Sequence, residues 1–299
     1  MNLSDYSNLS SYPKVLLYGA PFTGKTTAAA MLSKYRKIQL IDLDRNAGEL
    51  IHSIPKEYHE NIDIVPMPDS IENPVFDLLL DFLSGKAMDY NPIDGKKMSV
   101  KYRNVVSNVQ PKLPTPASLE DSTIIVIDSG TTITESCLNY VRSIRNRSAS
   151  EEKLDELQMS ERDWGLVMGY LGKLTKVMKA IPYPIILICH EMIVELPDKS
   201  TRIAPALGSR NTSRNLAKDF TAVVHMSLDG TLFKQISSQK SNSKVVVGSR
   251  RNVFLEEGKK LIDFFNGSSN FVDGSIANVT VNETPKDILG KPDTSFFKK

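Results

Sequence analysis

Cysteine occurs twice in this chain, tryptophan once and histidine four times, and each scarcity excludes something. Cys137 and Cys189 both stand in apolar contexts, so the sequence offers neither a disulfide framework nor a zinc site and suits a reducing compartment. His52, His59, His190 and His225 are scattered without metal-ligand spacing. No apolar run reaches the roughly 18 residues of a membrane helix, and no charged–apolar–small leader is present. The expectation is therefore a soluble, unexported, cytoplasmic protein with no membrane partner. An excess of one charge is also missing. With 37 Lys and Arg against 35 Asp and Glu, the net charge is +2, which neither demands a nucleic-acid partner nor excludes a local basic patch.

What the chain does have begins at residue 19. Gly19-Ala20-Pro21-Phe22-Thr23-Gly24-Lys25-Thr26-Thr27 is a complete G-x-x-x-x-G-K-[ST] sequence. The apolar run Lys14–Tyr18 precedes it and an Ala-rich helical stretch, Thr26–Tyr35, follows, which is the strand–loop–helix setting the motif requires. Gly19 and Gly24 let the backbone curl so that successive N–H groups point at phosphate oxygens. Lys25 reaches the β- and γ-phosphates, and the Thr26 hydroxyl sits on Mg²⁺. The pattern predicts binding of a nucleoside triphosphate, taken as ATP, with Mg²⁺; the alternative is a Gly-turn before an ordinary helix.

At 299 residues and 40% hydrophobic, the chain can fill one large α/β core. Residues 1–12 read as a flexible arm, 13–262 as the main domain and 263–299 as a flexible tail, with a surface insertion over about 85–121. Strands are predicted at Ile38–Asp42, Ile62–Met67, Thr123–Ser129 and Ile185–His190. Helices are predicted at Pro74–Leu83, Thr131–Ile144 and Glu161–Ala180, and a short one near Thr212–Asp219. In the 161–180 helix, Trp164, Val167, Met168, Leu171, Leu174 and Met178 form the expected buried stripe. Ser160 and Asp163 have capping-box spacing, while Gly165, Gly169 and Gly172 suggest close packing. Ile193–Leu196 and Thr201–Ala204 suggest a hairpin, and Ala222–Ser227 and Lys244–Gly248 two further strands. Apolar runs alternating with helices imply a mostly parallel sheet with ligand at the strands' carboxyl ends.

Asp128 stands at such an end after four aliphatic residues and fits the carboxylate that holds Mg²⁺ through water. Asp42 and Asp44 close the second strand. Asp44 is favoured as the group that polarises the attacking water; capping by Asp is the other use of such a position, and Glu49 a weaker candidate. His190 is expected to end its strand as a sensor of the γ-phosphate, with Glu191 beside it, or else to be a structural histidine.

In their order these segments resemble the RecA-like branch of P-loop NTPases. The shared run comprises Gly19–Thr27, Ile41-Asp42-Leu43-Asp44, an extra strand near Ile64, Ile127-Asp128-Ser129, Trp164, His190-Glu191, Pro205-Ala206-Leu207-Gly208 and Ser249-Arg250-Arg251. The likeness is greatest to phage nucleotide-binding proteins described as single-strand annealing or recombination ATPases. Asp44 stands where RecA-type recombinases place a longer Glu. The resemblance implies a RecA-like sheet flanked by helices with a C-terminal β-hairpin extension, and an ATPase stimulated by DNA. It also implies a single-stranded DNA substrate, a ring- or filament-forming homo-oligomer, a single-strand-binding protein as partner, and a phage-encoded protein in host cytoplasm. DNA loops would run from about Arg142 to Glu161 (Arg142, Arg145, Arg147) and from Met192 to Arg214 (Lys199, Arg202, Arg210, Arg214). Lys96, Lys97, Lys101, Tyr102 and Arg103 offer another surface. Arg210, Arg250 or Arg251 would complete a neighbouring subunit's site. Two rivals remain, a P-loop small-molecule or nucleotide kinase and a nucleotide-switched regulator that recruits a DNA-processing partner.

Overall fold

The computed structural model describes residues 12–67, 69, 74–85, 115, 119, 122–145, 159–196, 198–209, 218–229, 232–237, 244–250, 255 and 260–265. The expected arm before residue 12, almost all of the insertion with its Lys96–Arg103 cluster, and residues 146–158 of the expected Arg142–Glu161 loop, Arg147 among them, lie outside the described residues. So do Arg210, Arg214, Arg251, most of the short 212–219 helix and the tail beyond residue 265.

The four most apolar runs become the centre of one sheet. Strand β1 (Lys14–Gly19) is buried throughout. It is flanked in parallel by β5 (Ile185–Glu195) and β7 (Ala222–Asp229). Beyond β5 lie β4 (Ile124–Asp128), β2 (Ile38–Asp42) and β3 (Ile62–Pro66), all parallel. Parallel strands covered on both faces need continuous aliphatic sequence, and β4 with Ile124–Ile127 fully buried shows this. The order is β3-β2-β4-β5-β1-β7-β8. This is the RecA-like P-loop architecture expected from the sequence, with its third strand at one edge and an antiparallel hairpin at the other. That hairpin pairs β7 with β8 (Leu232–Ile236).

One face of the sheet carries α1 (Lys25–Ala30), which follows the phosphate loop. Ala29, Ala30 and Leu32 pack there on Val15, Leu17, Val126 and Ile188. Phe264 and Phe265 are buried in the same cluster, so packed chain extends past residue 262. The other face carries α2 (Val75–Leu83), α3 (Gly130–Arg145) and α4 (Glu161–Ala180).

The capping box of α4 is formed. The Ser160 hydroxyl accepts from the Asp163 N–H at 3.3 Å, and the Ser160 N–H donates to Asp163 Oδ2 at 2.8 Å. Two expectations for this helix are corrected. Trp164 is 37% exposed because Asp163, turned inward by the capping box, takes the buried position beside it. The stripe is carried by Val167, Leu171, Leu174 and Met178. A Cβ at Gly165, Gly169 or Gly172 would meet nothing within 4 Å, so close packing does not explain these glycines.

Two strand boundaries also differ. His190 does not end its strand: β5 continues to Glu195 and turns into β6 (Thr201–Pro205), so the separate 193–196 strand is the outer half of β5. The chain can continue because the parallel ladder with β1 stops at Gly19↔His190 and the antiparallel ladder with β6 starts at Glu191↔Pro205. Of the predicted 244–248 strand, Val245 makes one bridge to Ile203. Strand β9 (Gly248–Ser249) pairs with the start of β7.

Candidate functional site

The phosphate loop leaves β1 at Gly19, where space allows no side chain. A Cβ there would sit 2.0 Å from the Met226 carbonyl oxygen of the neighbouring β7. Gly24 takes φ 73° immediately before α1, a left-handed conformation that costs glycine nothing. Phe22 adopts φ 63° with its ring 97% exposed. Thr23 Oγ1 donates to the Ala20 carbonyl at 2.9 Å and closes the loop.

Lys25 opens α1 and turns inward. Its ammonium donates to the Gly19 carbonyl at 3.0 Å and the Ala20 carbonyl at 2.6 Å. Burial lowers its pKa, while Asp128 first and then Glu191 oppose the shift. Thr26, one residue on, donates its hydroxyl to Asp128 Oδ2 at 2.5 Å. Burial pushes the Asp128 carboxyl up to about 6, with Asp44 and Asp42 adding to the rise and Thr26 and Lys25 opposing it. A divalent cation at this point would favour the ionised form. The residues fit Mg²⁺, which accepts one or two protein oxygens and otherwise keeps phosphate and water ligands; Thr26 and Asp128 are the two that would hold it.

The carboxylates of the second strand divide. Asp42 accepts the N–H groups of Asn46 and Ala47 at 3.2 and 3.1 Å, so it caps the 3₁₀ turn Ala47–His52. Asp44 Oδ1 accepts from Ser129 Oγ at 3.2 Å and from the Thr132 hydroxyl, which ties it to the first turn of α3. Glu49 lies in the exposed part of the 3₁₀ turn. His190 stands beside Gly19 in the ladder. Its N–H donates to Thr131 Oγ1 at 3.1 Å, its carbonyl accepts from Ala206 N–H at 2.7 Å, and its Nδ1 is buried with no partner among the described residues. The Pro205–Gly208 segment is thereby fixed across α3, where the Gly208 N–H donates to Thr134 Oγ1 at 3.0 Å.

Sequence reading missed one pair. Glu191 Oε2 and His225 Nε2 lie 2.9 Å apart, the imidazole side chain 6% and the carboxylate side chain 29% exposed. The His225 ring also packs on Tyr18, with centroids 5.0 Å apart. The Tyr18 hydroxyl donates to the Val246 carbonyl and accepts from its N–H, both at 3.0 Å. No spacing along the chain announces this pair, because it depends on β5 and β7 both flanking β1.

A protein-family model described as an AAA domain matches residues 11–254. No curated protein matches the chain. Among solved structures, a KaiC-like protein from the hyperthermophilic archaeon Pyrococcus horikoshii OT3 is 16% identical. The match covers 75% of this chain and 76% of that one, at a TM-score of 0.35. A prototypical ATPase from the type III secretion system of pathogenic bacteria is 12% identical, with 75% of this chain and 54% of that chain covered at a TM-score of 0.38.

Proposed function

Because the chain belongs to the AAA-domain family, a family of P-loop ATPases, we propose that it hydrolyses ATP with Mg²⁺ and uses the nucleotide state to control its hold on single-stranded DNA. The setting would be strand annealing or recombination in phage DNA metabolism. The observation that carries the chemistry is the 2.5 Å bond between Thr26 Oγ1 and Asp128 Oδ2, which joins the phosphate loop to the end of β4 at one point. Lys25 supplies the cation for the β- and γ-phosphates, and loop N–H groups orient them. Mg²⁺ held by Thr26 and Asp128 would neutralise charge on the same phosphate oxygens. Asp44, just past the end of β2, and His190, beside Gly19 in the ladder of β5 with β1, would face the water and the γ-phosphate.

Support for the DNA part is of a different kind. It comes from the sequence likeness to annealing ATPases and from the β5–β6 hairpin, which carries Lys199 and Arg202 away from the strand that passes the site. A homo-oligomer, with Arg250 reaching a neighbour's site, belongs to the same proposal. The test is phosphate release with and without single-stranded DNA, duplex DNA and RNA. Stimulation by single-stranded DNA supports the reading. DNA-independent phosphate transfer to a nucleoside acceptor would replace it with a kinase, and near-zero turnover with nucleotide-dependent DNA affinity would replace it with a switch. Lys25→Ala should lose hydrolysis while keeping the wild-type circular dichroism spectrum.

A further inference from the structure

Alternation along β5 decides which of its polar residues faces the nucleotide site. Ile186 and Ile188 pack in the cluster on the phosphate-loop side of the sheet, whereas Leu187 and Cys189 pack on the side of α2, α3 and α4. Successive side chains of a strand point to opposite faces, so His190 falls on the phosphate-loop side and Glu191 on the other. The ladder between β4 and β5 ends at Asp128↔Ile188, where β4 gives way to α3. Past that point a side chain takes the place of the strand: Thr131 Oγ1 accepts the His190 N–H at 3.1 Å.

The opening turn of α3 carries three threonines, and each hydroxyl goes to a different neighbour. Thr132 donates to Asp44 Oδ1, which also accepts from Ser129 Oγ at 3.2 Å. Thr131 holds His190 on β5, and the His190 carbonyl in turn accepts the Ala206 N–H at 2.7 Å. Thr134 Oγ1 accepts the Gly208 N–H at 3.0 Å. Ala206 and Gly208 lie in the segment by which the chain leaves β6. One helical turn that starts two residues after Asp128 is therefore bonded to Asp44 on one side and to the base of the β5–β6 hairpin on the other. The contact is close as well as polar. A Cβ on Gly130 would stand 2.5 Å from Cys189 Sγ and 3.2 Å from Leu207 Cδ1, both residues being buried. Packing of that density transmits a displacement instead of absorbing it.

We propose that this turn couples the γ-phosphate site to the β5–β6 hairpin. Thr132 is the positioning residue for Asp44, and Thr131 and Thr134 are the latches through which the site sets the hairpin that carries Lys199 and Arg202. The proposal rests on the reading above in which nucleotide state controls the hold on single-stranded DNA. A triphosphate and the water beside it compete for the Asp44 carboxylate that Ser129 and Thr132 otherwise hold. The two nucleotide states thus favour different placements of the turn, and a ligand shifts such an equilibrium only by that difference.

The test measures, in the full-length protein, the affinity for a fluorescent oligo(dT) with a non-hydrolysable ATP analogue and with ADP, beside steady-state phosphate release. The ratio of the two affinities is the readout, and wild type should show one of about 5–150-fold, the usual range of coupling between sites. Thr131→Val/Thr134→Val keeps the branched shape and loses both hydroxyls. Its ratio should fall to within about twofold of one, with ATP-analogue affinity within about threefold of wild type. Thr131→Ser/Thr134→Ser keeps both hydroxyls and should retain most of the wild-type ratio. Thr132→Val should lower kcat with little change in KM, and Thr132→Ser should restore it. Thr134→Val alone leaves the His190 bond in place and serves if the double variant loses the wild-type circular dichroism spectrum; its ratio should fall by at least about threefold. A wild-type ratio in either valine variant would overturn the proposal. A ratio lost equally in the serine variant would overturn it too, because packing of the methyl groups would then carry the effect. Unchanged kcat in Thr132→Val would remove Asp44 from the path. A wild-type protein that hydrolyses ATP yet binds the oligonucleotide equally in both nucleotide states would overturn the DNA reading beneath the proposal, and one that hydrolyses no ATP would overturn the ATPase reading.

Discussion

The Lys14 ammonium lies at the far end of β1 from the phosphate loop, buried, with its hydrogens given to the carbonyls of Ile181 and Tyr183 just past the end of α4. A cation there complements the unpaired carbonyls of a helix terminus, yet burial lowers its pKa from 10.5 to about 7. The folded state thus holds the proton less tightly than the unfolded chain. Stability should rise with pH between about 7 and 10.5, and the gain is lost as pH falls through 7. Above about pH 9 the buried thiols act in the opposite sense, since burial raises Cys137 to about 12 and Cys189 further. Urea unfolding at pH 7.0 and 8.5 isolates the lysine. Wild type should gain up to about 1.4 kcal/mol per pH unit relative to Lys14→Met, and parallel curves would show that Lys14 titrates alike in both states. At the end of β4, Asp128→Asn should cut Mg²⁺-dependent turnover by at least tenfold, while Mg²⁺-free nucleotide binding changes much less. Equal losses, read from binding with and without chelator, would make Asp128 structural.

Among the elements, α4 gives the sharpest stability test. Gly165, Gly169 and Gly172 interrupt a 20-residue helix, and each position opens on space. Alanine at each should stabilise the protein by about 0.5–1 kcal/mol, the helix-interior cost of glycine, measured as a shift of the urea midpoint at constant m. A loss at any of the three would mean that this face is covered in solution. The same helix shows where local reading works and where it stops. Ser160 and Asp163 were legible as a capping box because that motif is closed within four residues. Trp164 was not, because one residue's rotation around a helix, about 100°, decides between core and rim, and only the packed sheet sets the origin of that rotation. β5 gives a second case. Its inner half announces itself as a run of aliphatics, but its continuation through His190 to Glu195 depends on β6 replacing β1 as the pairing partner.

At the scale of the molecule, any DNA affinity must come from placement of charge, because the total of +2 supplies little field. Binding should weaken steeply with salt, log affinity falling linearly with log salt at a slope proportional to the phosphates neutralised. Replacing Lys199 or Arg202 of the β5–β6 hairpin by Ala should each reduce that slope by about one. Fluorescence anisotropy with a labelled oligonucleotide at several salt concentrations measures it; a slope unchanged by both variants would move the contact off the hairpin.

What the sequence determined by itself was everything carried by neighbours along the chain. The Gly19–Thr27 loop, the aliphatic runs that had to become buried parallel strands, the capping box and the carboxylate ending β4 were all readable, because spacing and backbone preference fix them locally. Only the tertiary structure decided which strand ends meet. The order β3-β2-β4-β5-β1-β7-β8 brings Asp128 to Thr26 across 102 residues and His225 to Glu191 across 34. It also engages Asp44 with the start of α3. The physical reason is that every central strand is apolar enough to be buried beside any other, so their order is set by how the helices cover both faces. No single segment records that choice.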